Sequence, residues 1–179
     1  STYPQIASHL IQGQPVVPMA MVNEWCLGIA RALNPSARVV SVRDLSVLKG
    51  IQLPAFDTTG DWVNITCDIN DAGDLLNMTV SNEEGNALYQ LGIEIGNGSD
   101  QVTEPESPAE MNLGSWEWGP EKIYKDFLFH GEALQVVKKL LGVSNSGCSG
   151  MLQMPDGSDL ERWRVALLDG GLQLALLWE

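Results

Sequence analysis

The chain has 179 residues, 44% of them apolar, which is enough for a buried core in one large domain or two small ones. Its 23 acidic and 10 basic residues give a formal net charge of −13, which makes nucleic acid and anionic membrane surfaces poor partners because their phosphates would be repelled. Cys26, Cys67 and Cys148 are widely spaced, so the sequence predicts no disulfide framework and no metal site. We expect all three to be small buried side chains.

The sequence shows no apolar run of membrane-spanning length and no signal peptide. Together with the scarce cysteines, this favours a reducing, cytoplasmic location. The sequence begins without a methionine and ends on an apolar run, so we expect it to be a segment of a longer protein.

The N-terminal part is predicted to contain one long helix. Residues 1–8 are expected to be extended because Pro4 disfavours a helix, and a loop around His9 follows. Pro18 suits a first helical position, and apolar residues spaced by four, three and four predict a helix over 18–33. This stripe consists of Val22, Cys26, Ile29 and Leu33, and it is widened by Met21 and Trp25.

Antiparallel strands are predicted after this helix. Alternating or β-branched apolar residues indicate strands over 39–42, 45–53, 61–68, 76–81 and 87–95, with a hairpin turn at 82–86. A long helix followed by such a meander fits a helix wrapped by a curved sheet.

The second half is predicted to form a separate unit behind a linker. We divide the chain into a first domain over 1–96, an acidic linker over 97–119 that is poor in apolar residues, and a second domain over 120–179. In the second domain we predict strands over 123–129, 147–154 and 160–167 and a short helix over 132–141. Asp169 is expected to start a final apolar helix over 170–178 that is deeply buried.

Three motifs, in order along the chain, resemble those of the polyketide synthase dehydratase family. His-x-x-x-Gly-x-x-x-x-Pro runs from His9 through Gly13 to Pro18. Leu-Leu-Asp-x-x-x-Gln at 167–173 contains Asp169 and Gln173. The segment at 129–135 is similar to the family's aromatic-Gly-Pro-x-Phe motif, and its Phe-His-Gly form looks most like the versions in polyunsaturated fatty acid synthases and related iterative synthases.

The resemblance implies an α+β double hot-dog fold, in which a long central helix is wrapped by a curved antiparallel sheet, twice. The strands that the family has after the final helix are absent from this sequence. We therefore expect a second hot-dog that is incomplete at its C-terminus or is completed by a partner.

The motif residues suit the removal of water from a 3-hydroxyacyl thioester to give a 2-enoyl thioester. A neutral imidazole, with an ordinary pKa of about 6.5, can take the proton beside the carbonyl, and a buried carboxyl can protonate the departing hydroxyl. The resemblance implies that His9 is the base and Asp169 the acid. Gln173 lies one helical turn after Asp169 and can hold its carboxyl in place.

Four further residues are expected to contact the substrate. Backbone N–H groups near Gly13, or at the helix start that follows Pro18, could stabilise the developing enolate oxygen. His130 and Gly131 are expected to line the acyl chain channel. Three of the four have a structural alternative: Gly13 and Pro18 as turn residues, and His130 as a packed side chain.

The resemblance implies an acyl carrier protein and neighbouring synthase domains as partners, with a homodimer as one allowed assembly. The substrate would be carried on the carrier's phosphopantetheine arm, and no other cofactor is expected. The carrier could dock on a basic patch formed by Lys122, Lys125, Lys138 and Lys139. The alternative is that these lysines form an ordinary solvent-exposed charged face.

Three alternative functions stay open. A product-template-like cyclase also uses a His/Asp pair, but it needs a large cavity. A hot-dog thioesterase would use water as its nucleophile and would not need Asp169 paired with Gln173. An inactive structural hot-dog module could retain the motifs without catalysing a reaction.

Overall fold

The computed structural model describes residues 3–97, 113–154 and 159–178. The chain divides into two compact units, which we call the terminal unit (Ser1–Ala20 with Glu106–Glu179) and the sheet unit (Met21–Pro105). The terminal unit contains both ends of the chain, so His9 and Asp169 belong to one unit, whereas the sequence-based division at 96 and 119 assigned them to different domains. Most of the predicted linker, residues 98–112, lies outside the described residues. Within the described part of the chain, no helix is long and apolar enough to cross a membrane.

The sheet unit contains a four-stranded antiparallel sheet and one long helix. The strands are β3 (Ala37–Val47), β4 (Asn64–Ile69), β5 (Leu75–Ser81) and β6 (Ala87–Asn97), in the order β3-β6-β5-β4. The helix α2 (Met19–Leu33) belongs to this unit except for its first two residues.

Side-chain alternation explains why these segments form strands. On β5, Leu76, Met78 and Val80 are buried while the residues between them face outward. The predicted turn at 82–86 joins β5 to β6, and the side chain of Asn82 accepts a hydrogen bond from the N–H of Asn86 at 2.9 Å. The predictions over 39–42, 61–68, 76–81 and 87–95 are confirmed in type.

The strand predicted over 45–53 ends early. β3 stops at Val47, and the N–H groups of Leu48 and Lys49 both donate to the carbonyl of Leu88. Two successive donors on one acceptor break the ladder, so the remaining residues leave the sheet.

The predicted long helix is confirmed as α2, and its stripe is mostly correct. Val22 and Cys26 are fully buried, whereas Leu33, in the last turn, is 58% exposed. The expectation of buried cysteines holds for Cys26 only, because Cys67 and Cys148 are half-buried.

The terminal unit is built from short elements around one long helix. Its elements are α1 (Pro4–Ala7), β1 (Leu10–Ile11), β2 (Gln14–Pro15), α3 (Pro120–Asp126), a 3₁₀ turn (Glu132–Leu134), β7 (Val137–Ser144), β8 (Gly147–Leu152) and α4 (Leu160–Trp178). β1 pairs with β2 and β7 with β8, both antiparallel, and α4 packs against β7 and β8. The core contains Ile123, Leu128, Val137, Leu140 and Leu177.

Two wrong predictions arose at prolines. Residues 4–7 form α1 rather than an extended segment, and residues 120–126 form α3 where a strand was predicted from 123. Pro4 and Pro120 each occupy a first helical position, where the missing N–H costs nothing and the fixed φ suits a helix.

Two further wrong predictions arose from apolar periodicity. The helix predicted over 132–141 is a single 3₁₀ turn followed by β7, because residues from Val137 onward pair with β8. The strand predicted over 160–167 is the first half of α4, so Asp169 lies in the middle of a helix rather than at its start. The strand predicted over 147–154 is confirmed as β8.

The helix α4 is buried on one face only. Its buried residues are Val165, Ala166, Asp169, Gly170, Gln173 and Leu177. The opposite face exposes 40% or more of Leu167, Leu168, Leu176 and Trp178. The prediction of a deeply buried helix is therefore wrong for half of its surface.

Candidate active site

A two-residue hairpin shapes the segment that carries His9. Ile11 pairs with Gln14, and the two residues between them, Gln12 and Gly13, have φ of 52° and 79°. Positive φ at both positions is the mark of a type I′ turn, which favours glycine. Gly13 thus lies at the exposed tip as a turn residue, and its predicted contact with substrate stays a prediction.

This hairpin places His9 opposite Val16. The N–H of Val16 donates to the carbonyl of His9 at 3.0 Å, and Nδ1 of His9 lies 2.9 Å from the carbonyl oxygen of Val16. A carbonyl only accepts, so Nδ1 carries the hydrogen and Nε2 keeps its lone pair. Pro18 is buried directly before α2.

Burial keeps His9 neutral. Desolvation lowers the pKa of His9, and the hydrogen bond to Val16 and the nearby Asp169 carboxyl oppose this only in part. A half-buried imidazole with a free Nε2 lone pair can therefore accept a proton at neutral pH.

Gly131 joins the His9 segment to the His130 segment. His9 and His130 form an antiparallel bridge, and the N–H of Gly131 donates to the carbonyl of Ser8 at 2.6 Å. A Cβ on Gly131 would lie 3.0 Å from Cα of Ser8, a tight contact to which Ser8 would have to adjust by a few tenths of an ångström. Gly131, predicted to contact substrate, has its N–H occupied by Ser8.

His130 is buried between an aromatic ring and a carboxyl. It is 5% exposed and stacks on Phe129 with ring centroids 4.3 Å apart. Its Nε2 lies 3.5 Å from Oδ2 of Asp169, and its Nδ1 has no hydrogen-bond partner among the described residues. Burial, and then the proximity of His9, lower the pKa of His130 to about 4, so it too is neutral at pH 7.

Asp169 and Gln173 lie one turn apart on the buried face of α4. Nε2 of Gln173 donates to Oδ2 of Asp169 at 2.7 Å. Burial raises the pKa of Asp169, and the Gln173 hydrogen bond and His9 lower it by less. Asp169 lies in the middle of α4, away from the helix N-terminus, so burial determines the direction of its pKa shift.

Sequence reasoning missed Tyr124, which fixes the amide of Gln173. The Tyr124 hydroxyl accepts the N–H of Val137 at 2.7 Å and donates to Oε1 of Gln173 at 2.7 Å. Nε2 of Gln173 also donates to the carbonyl of Leu134 at 2.8 Å. Because the Val137 N–H can only donate, the Tyr124 hydroxyl accepts from it and directs its own hydrogen to Oε1 of Gln173. The NH₂ of the Gln173 amide therefore faces Asp169. A lone tyrosine in a predicted strand gave no signal of this contact.

The predicted residues that the structure brings together are His9, His130, Asp169 and Gln173. A ring nitrogen of His9, a ring nitrogen of His130 and a carboxylate oxygen of Asp169 lie within 4.8 Å of one another. A proton acceptor and a proton donor at this separation can act on adjacent atoms of one small molecule.

Comparisons with solved structures identify the fold of the chain. No protein-family model and no curated protein sequence matches the chain. Among solved structures, it is similar to the dehydratase domain from the CurF module of curacin polyketide synthase, with 18% identity, a TM-score of 0.73, and coverage of 96% of this chain and 64% of that one. It is also similar to the dehydratase domain of PpsC from Mycobacterium tuberculosis in complex with C12:1-CoA, with 15% identity, a TM-score of 0.66, and coverage of 95% and 62%.

The third similar structure is CurK dehydratase, solved as two inactive mutants. In one a histidine is replaced by phenylalanine, with 16% identity, a TM-score of 0.70, and coverage of 96% of this chain and 62% of that one. In the other an aspartate is replaced by asparagine, with the same identity and TM-score and coverage of 95% and 62%. The chain spans less than two thirds of the length of these structures. Its described residues have the hot-dog fold of polyketide synthase dehydratase domains.

Proposed function

We propose that this chain is a dehydratase domain of a polyketide or polyunsaturated fatty acid synthase, which removes water from a 3-hydroxyacyl thioester on an acyl carrier protein. The observation that carries the proposal is that a ring nitrogen of His9 and a carboxylate oxygen of Asp169 lie within 4.8 Å of each other. Nε2 of His9 has a free lone pair, and burial raises the pKa of Asp169. A base and an acid at this spacing are what an elimination across two adjacent carbons requires.

The reaction requires a neutral His9 and a protonated Asp169, and burial shifts the pKa of each residue in that direction. Nε2 of His9 takes the proton from C2 of the thioester, and the electron pair of that C–H bond forms the C2–C3 double bond. The C3–O bond breaks, and the Asp169 carboxyl gives its proton to the departing hydroxyl, which leaves as water. The products are a 2-enoyl thioester, an imidazolium and a carboxylate, and proton transfer between the last two restores the starting state.

Neighbouring residues fix the positions of the hydrogens on His9 and Asp169. The Val16 carbonyl holds the hydrogen of His9 on Nδ1, which keeps Nε2 free. Because Gln173 donates to Oδ2 of Asp169, the acidic hydrogen belongs on Oδ1, which leaves that oxygen to face the hydroxyl. The histidine and aspartate replaced in the inactive CurK mutants are of the same two residue types, which supports the assignment.

The finer features of the proposal rest on the sequence. The Phe-His-Gly segment supports a host synthase of the polyunsaturated fatty acid or related iterative kind. For the carrier protein we propose the patch of Lys122, Lys125, Lys138 and Lys139, all of which are exposed. We propose further that β7, β8 and α4 are part of a second hot-dog.

The test is mass analysis of a carrier-bound 3-hydroxyacyl thioester after incubation with the chain. We expect loss of one water with the thioester intact. Release of the free 3-hydroxy acid would instead indicate a thioesterase, and ring formation a cyclase. An unchanged substrate would contradict the proposal and favour an inactive structural module.

A further inference from the structure

We propose that His9, His130 and Asp169 form a binding site for one divalent transition-metal ion, with Zn²⁺ as the ion that fits best. The sequence predicts no metal site, because its three cysteines are widely spaced and its two histidines lie far apart in the chain. The fold brings together two imidazoles and one carboxylate, whose ligand atoms lie within 4.8 Å of one another. Two histidines and one carboxylate are a common ligand set of Zn²⁺ sites that keep an open position.

The closest pair of these ligands already has the spacing of a zinc site. Zinc binds imidazole nitrogen and carboxylate oxygen at about 2.0–2.2 Å, so two ligands at a tetrahedral angle lie about 3.4 Å apart. Nε2 of His130 and Oδ2 of Asp169 are 3.5 Å apart. The ligand atom of His9 lies within 4.8 Å of both, so His9 has to move towards them for all three to reach one ion.

Two of the proposed ligands make the kind of hydrogen bond that is common for residues bound to a metal ion. A ligating histidine commonly donates its other N–H to a backbone carbonyl, and a ligating carboxylate is itself hydrogen-bonded. Nδ1 of His9 donates to the carbonyl of Val16, and Gln173 donates to Asp169. Asp169 is thus held close to His130 without the ion, and the hydrogen bond of His9 to Val16 leaves Nε2 of His9 as its ligand atom.

His130 supplies the independent observation that points to a ligand. Its Nε2 lies beyond the usual hydrogen-bond distance of about 2.7–3.2 Å from Asp169. Its Nδ1 has no partner among the described residues, although the side chain is only 3% exposed. A buried imidazole with an unpaired nitrogen is costly. A metal ion would give Nε2 a closer partner than the Asp169 oxygen at 3.5 Å, while Nδ1 would keep no partner among the described residues.

Metal binding would also affect dehydration, and this one consequence rests on the proposed function. An ion on Nε2 of His9 occupies the lone pair that takes the C2 proton. We therefore expect Zn²⁺ to inhibit dehydration in competition with the substrate.

The test measures binding of the metal alone, so it does not depend on activity. Calorimetric titration of the chain with Zn²⁺ at neutral pH should give one ion per chain. A Co²⁺ titration should give visible d–d absorption without thiolate charge transfer, which separates this site from the cysteines. The two histidines of the chain are both in the site, so no other imidazole confuses the result.

Variants locate the ion. His130→Phe keeps a ring for Phe129 to stack on, and Asp169→Asn keeps the size of the side chain. Each should weaken Zn²⁺ binding by at least about 10-fold, since loss of a ligand costs no less than loss of a second-shell partner. Glu132→Gln, which removes an exposed carboxylate two residues from His130, should leave binding unchanged.

The experiment can still test the metal site if one of the variants at a buried position does not fold. Thermal unfolding checks each variant, and His9→Gln, at a half-buried position, replaces any that is unfolded. Absence of one-to-one binding by the unmodified chain, or equal affinity in all folded variants, would overturn the proposal. A chain that binds zinc but removes no water would retain the metal site and refute the proposed function alone.

Discussion

The hydroxyl of Tyr124, on α3, donates to Oε1 of Gln173, on α4, at 2.7 Å while it accepts the N–H of Val137 at 2.7 Å. This bond turns the NH₂ of Gln173 towards Asp169. Burial raises the pKa of Tyr124 to about 12, so the phenol keeps its hydrogen at any pH at which the chain is studied. The proposed acid is thus held through two consecutive side chains.

Tyr124→Phe should lower kcat with little change in KM. The variant removes the hydrogen bond to Oε1 of Gln173, so only the bonds to Leu134 and Asp169 orient the amide. Loss of about 1.4 kcal/mol of orientation corresponds to about a 10-fold slower reaction. Steady-state kinetics measures this. If Tyr124 acts through Gln173, the change should add nothing in a Gln173→Ala background, whereas additive losses would show a separate role. Tyr89→Phe, at a buried tyrosine of the sheet unit, is the matched control and should keep full activity.

Gly131→Ala should separate His9 from the other site residues. A Cβ at this position meets Cα, Cβ and Oγ of Ser8 at 3.0–3.1 Å, so Ser8, which precedes His9, must shift by a few tenths of an ångström. We expect a loss of about 1–3 kcal/mol in the free energy of unfolding, measured in urea, together with slower dehydration.

The control for this substitution is Gly171→Ala on α4. Gly171 is exposed, and a Cβ there has no atom within 4 Å among the described residues. Alanine is the better helix former, so this variant should gain up to about 1 kcal/mol. Equal effects of the two substitutions would show that contact with Ser8 is unimportant.

His130 should make the folded state sensitive to acid. Its pKa is about 4 in the folded chain and about 6.5 when unfolded, so protons bind the unfolded state more tightly. Stability is therefore complete above pH 6.5 and falls as the pH drops from 6.5 towards 4, by about 3 kcal/mol at the lower limit. Burial of Asp169 acts in the opposite direction, because its raised pKa favours the folded state in acid.

The His130→Phe variant isolates the histidine contribution, because Asp169 is present in both proteins. Urea unfolding at pH 7 and pH 4.5 should show a smaller loss of stability in the variant than in the unmodified chain. The same pH dependence in both would mean that His130 is not buried as a neutral imidazole.

The sequence predicted the sheet unit well because its signals are local. Alternation placed Leu76, Met78 and Val80 on one face, and the turn at Asn82 followed from its composition. The pairing of His9 with Asp169 came from motif resemblance, since no local pattern relates residues so far apart in the chain.

The remaining errors concern residues whose environment is set by distant segments. The apolar residues of α4 occur on both of its faces, so periodicity did not distinguish a strand over 160–167 from a helix and misplaced Asp169 at a helix start. Tyr124 acquires its role only when α3 meets α4, and Gly131 only when Ser8 packs against it. The residues next to Tyr124 and Gly131 in the sequence do not predict these contacts.

The central claim is that His9 and Asp169 act as base and acid on one substrate. Its most direct test is the rate of enoyl thioester formation by His9→Gln and Asp169→Asn, each checked for folding by its unfolding curve. We expect each substitution to slow dehydration by about 100-fold or more while the chain stays folded. A folded variant of either kind that dehydrates at the rate of the unmodified chain would contradict the claim.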